Sequence, residues 1–131
     1  MHKEIELVVA KNNSGTQISE EEFALAPNSF FQKICVQDVL EMSENPDILD
    51  SITEKVRKGG SLILEGIDAL DICRRVHYGD MSLKESATNF FSRVNNLNSV
   101  ATLKIYFAQK KWPVKFAGLN NGRYLMEVTR T

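Results

Sequence analysis

Three carboxylates stand where a sheet of parallel strands would place chemistry. Asp38 and Glu41 follow the apolar-centred run Gln32-Lys33-Ile34-Cys35-Val36-Gln37, and Asp68 follows Ser61-Leu62-Ile63-Leu64-Glu65. Open α/β sheets bind ligands outside the carboxyl ends of their strands, where an acid can accept hydrogen bonds from ligand hydroxyls or take up a proton. Each acid also has a plain structural use: Asp38 can cap a short turn, Glu41 can be solvated, and Asp68 can cap the helix after it. His77, beside Tyr78 and after Arg74-Arg75, lies near a helix end whose dipole favours a charged imidazole at the surface. Arg74-Arg75 would suit a phosphate or an acidic sugar, although such a step on an amphipathic helix is usually solvated. Cys35 and Cys73 sit in apolar-patterned segments and read as two reduced core thiols. Neither His2 nor His77 has a cysteine or carboxylate at metal-ligand spacing, and no Ser/His/Asp or Cys/His set can be assembled. The residues thus name neither a catalytic set nor a metal site.

Capping and periodicity mark the elements that must position these acids. Residues 4–10 alternate and then run apolar, as a strand with one better-buried end does, and Lys11-Asn12-Asn13-Ser14-Gly15 reads as a turn. Ser19 suits the N-cap of a short helix ending at Ala26, with Glu20, Glu21 and Glu22 in its first turn. A second strand spans 32–37. Asn45-Pro46 opens a helix whose Ile48, Leu49, Ile52 and Val56 share a face. Lys55, Arg57 and Lys58 suit its last turn and Gly59-Gly60 its end. With the buried strand 61–65 this makes a right-handed βαβ unit. Asp68 caps a helix running to Tyr78, and Ser82-Leu83-Lys84-Glu85 is a capping box with Leu83, Ala87, Phe90, Phe91 and Val94 as its apolar stripe. Ser99 caps a helix that directs Val100, Leu103 and Phe107 inward and is closed by Trp112-Pro113. Phe90-Phe91 and Phe30-Phe31 are expected in the core. Asn120-Asn121-Gly122-Arg123 is the turn of a terminal β-hairpin and is expected to have no further role.

Composition narrows the class. A chain of 131 residues that is 43% hydrophobic suffices for one domain without a disulfide or metal framework. A formal net charge of −1 argues against a dedicated nucleic-acid binder. No signal-peptide pattern or membrane-length apolar run is present, which predicts a cytoplasmic protein without a membrane partner. The charge is polarised: residues 1–50 carry ten acids and three bases, residues 99–131 one acid and six bases. Such polarity either serves solubility or lets the acidic half of one copy meet the basic half of another.

The order of elements resembles the C-terminal half of a class I S-adenosylmethionine-dependent methyltransferase. Leu25-Ala26-Pro27-Asn28-Ser29-Phe30, then Ile34-Cys35-Val36-Gln37-Asp38-Val39-Leu40-Glu41, is similar to the family's approach to its fourth strand. Asp47-Ile48-Leu49 onward to Gly59-Gly60-Ser61-Leu62-Ile63-Leu64 is similar to the helix, glycine corner and fifth strand, with Lys58 where proline is common. Trp112-Pro113-Val114 sits at the entry to the last hairpin, so the resemblance covers residues 25–131. It implies a Rossmann-like α/β fold. In the full family the strand order is 3-2-1-4-5-7-6.

The departures from that family concern the cofactor. Its glycine-rich loop after the first strand, and the acids after the second and third, hold the methionine, ribose and adenine. Here Asn12-Asn13-Ser14-Gly15 supplies one glycine, and about thirty residues precede the fourth-strand equivalent. The resemblance therefore implies a truncated domain over 1–131, a sheet of about five strands ordered 1-4-5-7-6, and no resident cofactor. The first strand's Leu7-Val8-Val9-Ala10 edge would be exposed, which predicts a homodimer or higher oligomer by edge pairing or by packing of uncovered faces. Three functions follow: a non-catalytic or partner-dependent binding or assembly module; an active methyltransferase completed by oligomerisation and using S-adenosylmethionine; or a binder of a small nucleotide or sugar. In the latter two, Gln37, Asp38, Glu41 and Asp68 would line the crevice at the strand ends.

Overall fold

Alternating side chains with one buried row set the orientation of the central strands. The computed structural model describes residues 4–8 and 17–131. The elements in chain order are β1 (Glu4–Val8), β2 (Gln17–Ile18), α1 (Glu20–Ala24), β3 (Phe31–Gln37), α2 (Val39–Met42), α3 (Ile48–Glu54) and β4 (Val56–Ile67). They continue with α4 (Ala69–His77), α5 (Leu83–Ser86), which widens into a π-helical turn over Ala87–Phe91, then α6 (Val100–Lys110), β5 (Val114–Asn120) and β6 (Arg123–Thr129). The expected turn at residues 11–15, the strand end at Val9 and Ala10, and His2 lie outside the described residues.

The sheet order is β2-β1-β3-β4-β6-β5. β1, β3 and β4 run parallel, and β6 is antiparallel to both β4 and β5. Leaving β2 aside, this is the order expected once the longer fold loses its second and third strands. The sheet has six strands instead of about five, because Gln17 and Ile18 pair with Glu6 and Leu7 on the edge expected to be open. The Gln17 side-chain amide also donates to Glu6 Oε1 at 2.7 Å. Two residues are enough to satisfy part of a strand edge, and no periodicity marks so short a strand.

The glycine pair punctuates the chain differently from expectation. α3 ends at Glu54, and Val56 already pairs with Phe31 as the start of β4. β-branched Val56 is fully buried there. A bulge between the Phe31–Val56 and Lys33–Ser61 pairs absorbs Arg57 to Gly60. Gly59 takes a φ of 78°, and a Cβ on Gly60 would lie 2.6 Å from the Gln32 carbonyl oxygen. The residues read as a helix terminus thus form a kinked strand entry.

The predicted caps are present at four helices. Ser19, Asp68, Ser82 and Ser99 accept hydrogen bonds from the amides of Glu22, Asp71, Glu85 and Thr102 at 3.3, 2.8, 3.0 and 3.1 Å. The hairpin turns through Asn121 and Gly122, at φ 49° and 83°, which is primed-turn geometry matched to the twist of the strands.

The core lies between one face of the sheet and the helices. Leu7, Ile34, Val36, Leu62, Leu64, Tyr124, Met126 and Val128 from the strands pack against Phe23, Ile52, Leu103 and Phe107 from α1, α3 and α6. Phe31 joins this core, whereas Phe30, Phe90 and Phe91 are half-buried and Leu83 is exposed. The thiol expectation is corrected too: Cys35 is half-buried and Cys73 exposed. The apolar pattern of α4 is narrow, so Ile72 faces inward and Cys73 outward. On the opposite face of the sheet the described residues of the central row and its neighbours are exposed or half-buried, and Ile67, at the end of β4, is buried. Its central row runs Glu6, Cys35, Ile63, Glu127 and Phe116 across five strands.

Candidate functional site

The parallel strands end together, and the antiparallel β6 begins where β4 stops. This brings Arg123 and Tyr124 to the acids predicted at that edge. Neighbours on a strand point to opposite faces, so the two residues serve different carboxylates.

Asp38 leaves β3 in the left-handed conformation, φ 63°, and its amide donates to the Glu65 carbonyl at 2.9 Å. It precedes α2 without a side-chain capping bond. Its Oδ1 accepts from Arg123 at 2.5 Å, and the same guanidinium lies 3.8 Å from Glu65 Oε1. A non-glycine residue at positive φ stores strain of about 1–3 kcal/mol, which the surrounding contacts must hold. Gln37 is exposed and sits beside Glu65 in the register.

Glu41 is sealed, not solvated as one sequence reading allowed: it is 1% exposed. Oε2 accepts from the Tyr124 hydroxyl at 2.8 Å and from the Asn98 amide at 2.9 Å. Oε1 is buried without a hydrogen-bond partner. It lies against Gly66, where a Cβ would come within 1.9 Å of it. Burial pushes the Glu41 carboxyl up to about 7, against the pull of Tyr124, Asn98 and the nearby Ile67 amide. Burial, followed by the Glu41 charge, holds the Tyr124 hydroxyl well above its usual range, so it acts as donor. The Glu41 carbonyl also accepts the Asn95 and Asn96 amides at 2.7 and 3.0 Å, which fastens the segment before α6 onto α2.

Asp68 is buried and fully engaged. Oδ1 caps α4, Oδ2 accepts from the Val100 amide at 2.8 Å at the start of α6, and its own amide donates to the Gly122 carbonyl. Asp71, one turn on, accepts from Arg74, from Arg75 and from the Gly122 amide at 2.9 Å. Burial alone would raise Asp71, but these donors, led by Arg75, hold it below the usual carboxylate range. Arg74-Arg75 is therefore committed within the protein. The hairpin turn does more than reverse the chain: a Cβ on Gly122 would meet Ile72 Cδ1 at 2.2 Å. The turn is docked against α4.

Asp38 and Glu41 are thus joined by successive residues of β6, Asp68 is tied into the same edge through Gly122, and Gln37 stays apart on the open face. Arg123, Tyr124, Asn98 and Gly66 were not among the predicted site residues. The available signal was the Asn-Gly turn, which fixes where β6 starts and therefore which face Arg123 and Tyr124 take. Glu20, just after β2, accepts from the Ser43 hydroxyl at 3.0 Å. A shallow cleft of about 310 Å³ lies beside Arg123 on the open face, lined also by Glu65, Phe116, Leu119 and Leu125. That is the small end of ligand-pocket volumes.

The sequence matches no protein-family model and no curated protein. The structure nonetheless has the class I S-adenosylmethionine-dependent methyltransferase fold. It is similar to such a methyltransferase from Thermotoga maritima, with TM-score 0.66 and 10% identity over all of this chain and 83% of that one. A methyltransferase from Mesorhizobium loti superimposes with TM-score 0.63 and 8% identity over 98% and 90% of the two chains. Magnesium protoporphyrin IX methyltransferase from Synechocystis PCC 6803, with bound SAH, gives TM-score 0.57 and 14% identity over 94% of this chain and 54% of that one. At these identities the likeness concerns the fold.

The fold implies S-adenosylmethionine, so the strand edge can be tested against it. A ribose diol needs a carboxylate with free acceptor oxygens. Asp68 has both oxygens occupied and Glu41 Oε1 is closed off by Gly66, while Asp38 gives Oδ1 to Arg123 and keeps Oδ2. The space that glycine leaves at position 66 is filled by the protein's own side chain. Among the described residues, Glu41 and Asp68 do not fit that cofactor.

Proposed function

We propose that residues 1–131 form a single methyltransferase-like domain that works in the cytoplasm as a self-associating binding or assembly module and does not hold S-adenosylmethionine by itself. The observation that supports this reading is the internal commitment of Glu41 and Asp68, two of the acids the fold would otherwise present to a ligand. Chain length carries less of the argument, since two methyltransferases of the same fold are matched over 83% and 90% of their length. Isothermal calorimetry and thermal shift with S-adenosylmethionine and SAH test it. No heat and no shift are expected. Binding at a hundredfold excess over Kd would add about 2.7 kcal/mol of stability and would overturn the reading.

A second reading rests on the cleft beside Arg123. A small nucleotide or sugar held there, or a partner chain completing a methyltransferase at the same edge, would draw on Asp38 and Gln37, which lie nearer solvent than Glu41 and Asp68. Stabilisation by a nucleotide without S-adenosylmethionine would favour the binder. Methyl transfer only in the presence of a second protein would favour the completed enzyme.

A further inference from the structure

A helix leaves its last carbonyls without intrahelical partners, and α2 is only four residues long. The segment Asn95-Asn96-Leu97-Asn98, which precedes α6, supplies the missing donors. The Asn95 side-chain amide donates to the Met42 carbonyl at 2.8 Å, and that of Asn96 to the Leu40 and Ser43 carbonyls at 3.1 and 2.9 Å. The backbone amides of Asn95 and Asn96 both donate to the Glu41 carbonyl, and the Asn98 side-chain amide donates to Glu41 Oε2. One segment thus grips Glu41 by its backbone and by its carboxyl. The other covers of that carboxyl are Tyr124 on β6 and Gly66 and Ile67 on β4. Those belong to the strand ladder, in which Gly66 and Tyr124 are register partners. Residues 95–98 are half-buried or exposed. They are the cover that can lift without breaking the sheet.

We propose that Glu41 and residues 95–98 form a proton-operated latch. The uncharged carboxyl keeps the segment seated on α2. Loss of the proton favours a locally opened form, in which the segment lifts and water reaches the carboxylate while the sheet stays folded. The geometry decides the direction. Oε1 is sealed without a partner, so the closed form offers a carboxylate two donors, both on Oε2, and leaves the other oxygen bare. Burying a charge in that state is far more costly than burying a neutral carboxyl. Lifting the segment gives up the Asn98 contact and lets water serve both oxygens. The surrounding groups leave the proton to Glu41. Tyr124 stays a donor, Asp38 and Glu65 lie beside Arg123, and Asp68 is turned to the Asp71 and Val100 amides. Gly66, Ile67 and the three asparagines carry no charge. The Asp38 charge works in the same sense as burial, favouring the protonated form. The latch needs neither a ligand nor a second copy of the chain.

Native-state amide exchange tests the latch, with each rate set against the unfolded rate at the same pH. The Asn95 and Asn96 amides report on the segment, and those of Leu64 and Met126, paired in the sheet, report on global unfolding. The closed carboxyl titrates at about 7 against 4.5 when opened to water, so protection at Asn95 and Asn96 should fall by about a hundredfold from pH 4.5 to 7.5 and then level off. Dilute urea should leave that opening unchanged, because little surface is exposed, while it speeds exchange of the sheet amides. Glu41→Gln should remove the pH dependence and keep the segment protected. Tyr124→Phe takes away a donor that favours the charged form, so it should carry the fall to higher pH; it gives an independent readout should Glu41→Gln not fold. If Asn95 and Asn96 follow the urea slope of the sheet amides, the segment leaves only on global unfolding and the latch is overturned. Urea-insensitive opening that does not change with pH, or changes alike in wild type and Glu41→Gln, overturns Glu41 as its control.

Discussion

Asp38 and Glu41 are three residues apart, at the end of the same strand, and bind consecutive residues of β6, yet they behave as different chemical groups. Asp38 pairs with Arg123 toward the open face, where the pair is half-buried. Glu41 pairs with Tyr124 on the core side, with one oxygen unpartnered and its carboxyl pushed up to about 7. The difference comes from which face of β6 each acid meets. Proximity to a strand end made both look like ligand groups, but burial turns one into an internal acid and salt-bridging turns the other into a clasp between β3 and β6.

Three measurements would break or sharpen that contrast. The largest effect belongs to Glu41. Its folded pKa lies above the unfolded value of 4.5, so the stability present at acid pH is lost as pH climbs toward about 7 and stays lost above. The loss amounts to about 3 kcal/mol, and Glu41→Gln should flatten the profile and leave the variant the more stable protein at pH 8. Urea denaturation from pH 4 to 8 checks this; a wild-type profile parallel to that of the variant would mean that Glu41 stays charged. The next effect is steric. Gly66→Ala drives a methyl group against the same carboxylate and the Tyr124 hydroxyl bonded to it and should cost about 2 kcal/mol, part of it recovered when Glu41→Ala is added. Additive losses in that double-mutant cycle would show that the two positions do not share one space. The smallest change is expected on the open side. Asp38→Gly removes a half-buried ion pair but relieves a left-handed φ, so the two effects should cancel to within about 1 kcal/mol. A loss of several kcal/mol would place the Asp38–Arg123 clasp in the same class as the buried pair.

Much of the fold was legible because its signals are local. Ser82, Ser99 and Asp68 cap helices by contacts three residues away, and Asn121-Gly122 supplies its own positive φ values. The strand order followed from the resemblance and not from periodicity. The Gly59-Gly60 corner was visible as a breaker but not as a bulge, because choosing between helix end and strand start depends on Phe31 pairing with Val56. The site was less legible for the same reason. Nothing near Glu41 announces that Tyr124, 83 positions later, will close over it, nor that Gly66 will make room for it. Asp68 was read correctly as a cap, but its second contact, to the first turn of α6, spans 32 residues.

The docked hairpin tip has a practical consequence for anyone modifying this protein. Hairpin turns are usual places to insert a tag, a reporter loop or new chain termini, because little is buried there. Here the Asn121-Gly122 tip is wedged between Asp68, Asp71 and Ile72, so an insertion would pry α4 from the sheet. Gly79 is the better opening: it is exposed, sits just past the end of α4 at φ 81°, and has nothing within 4 Å of where a side chain would begin.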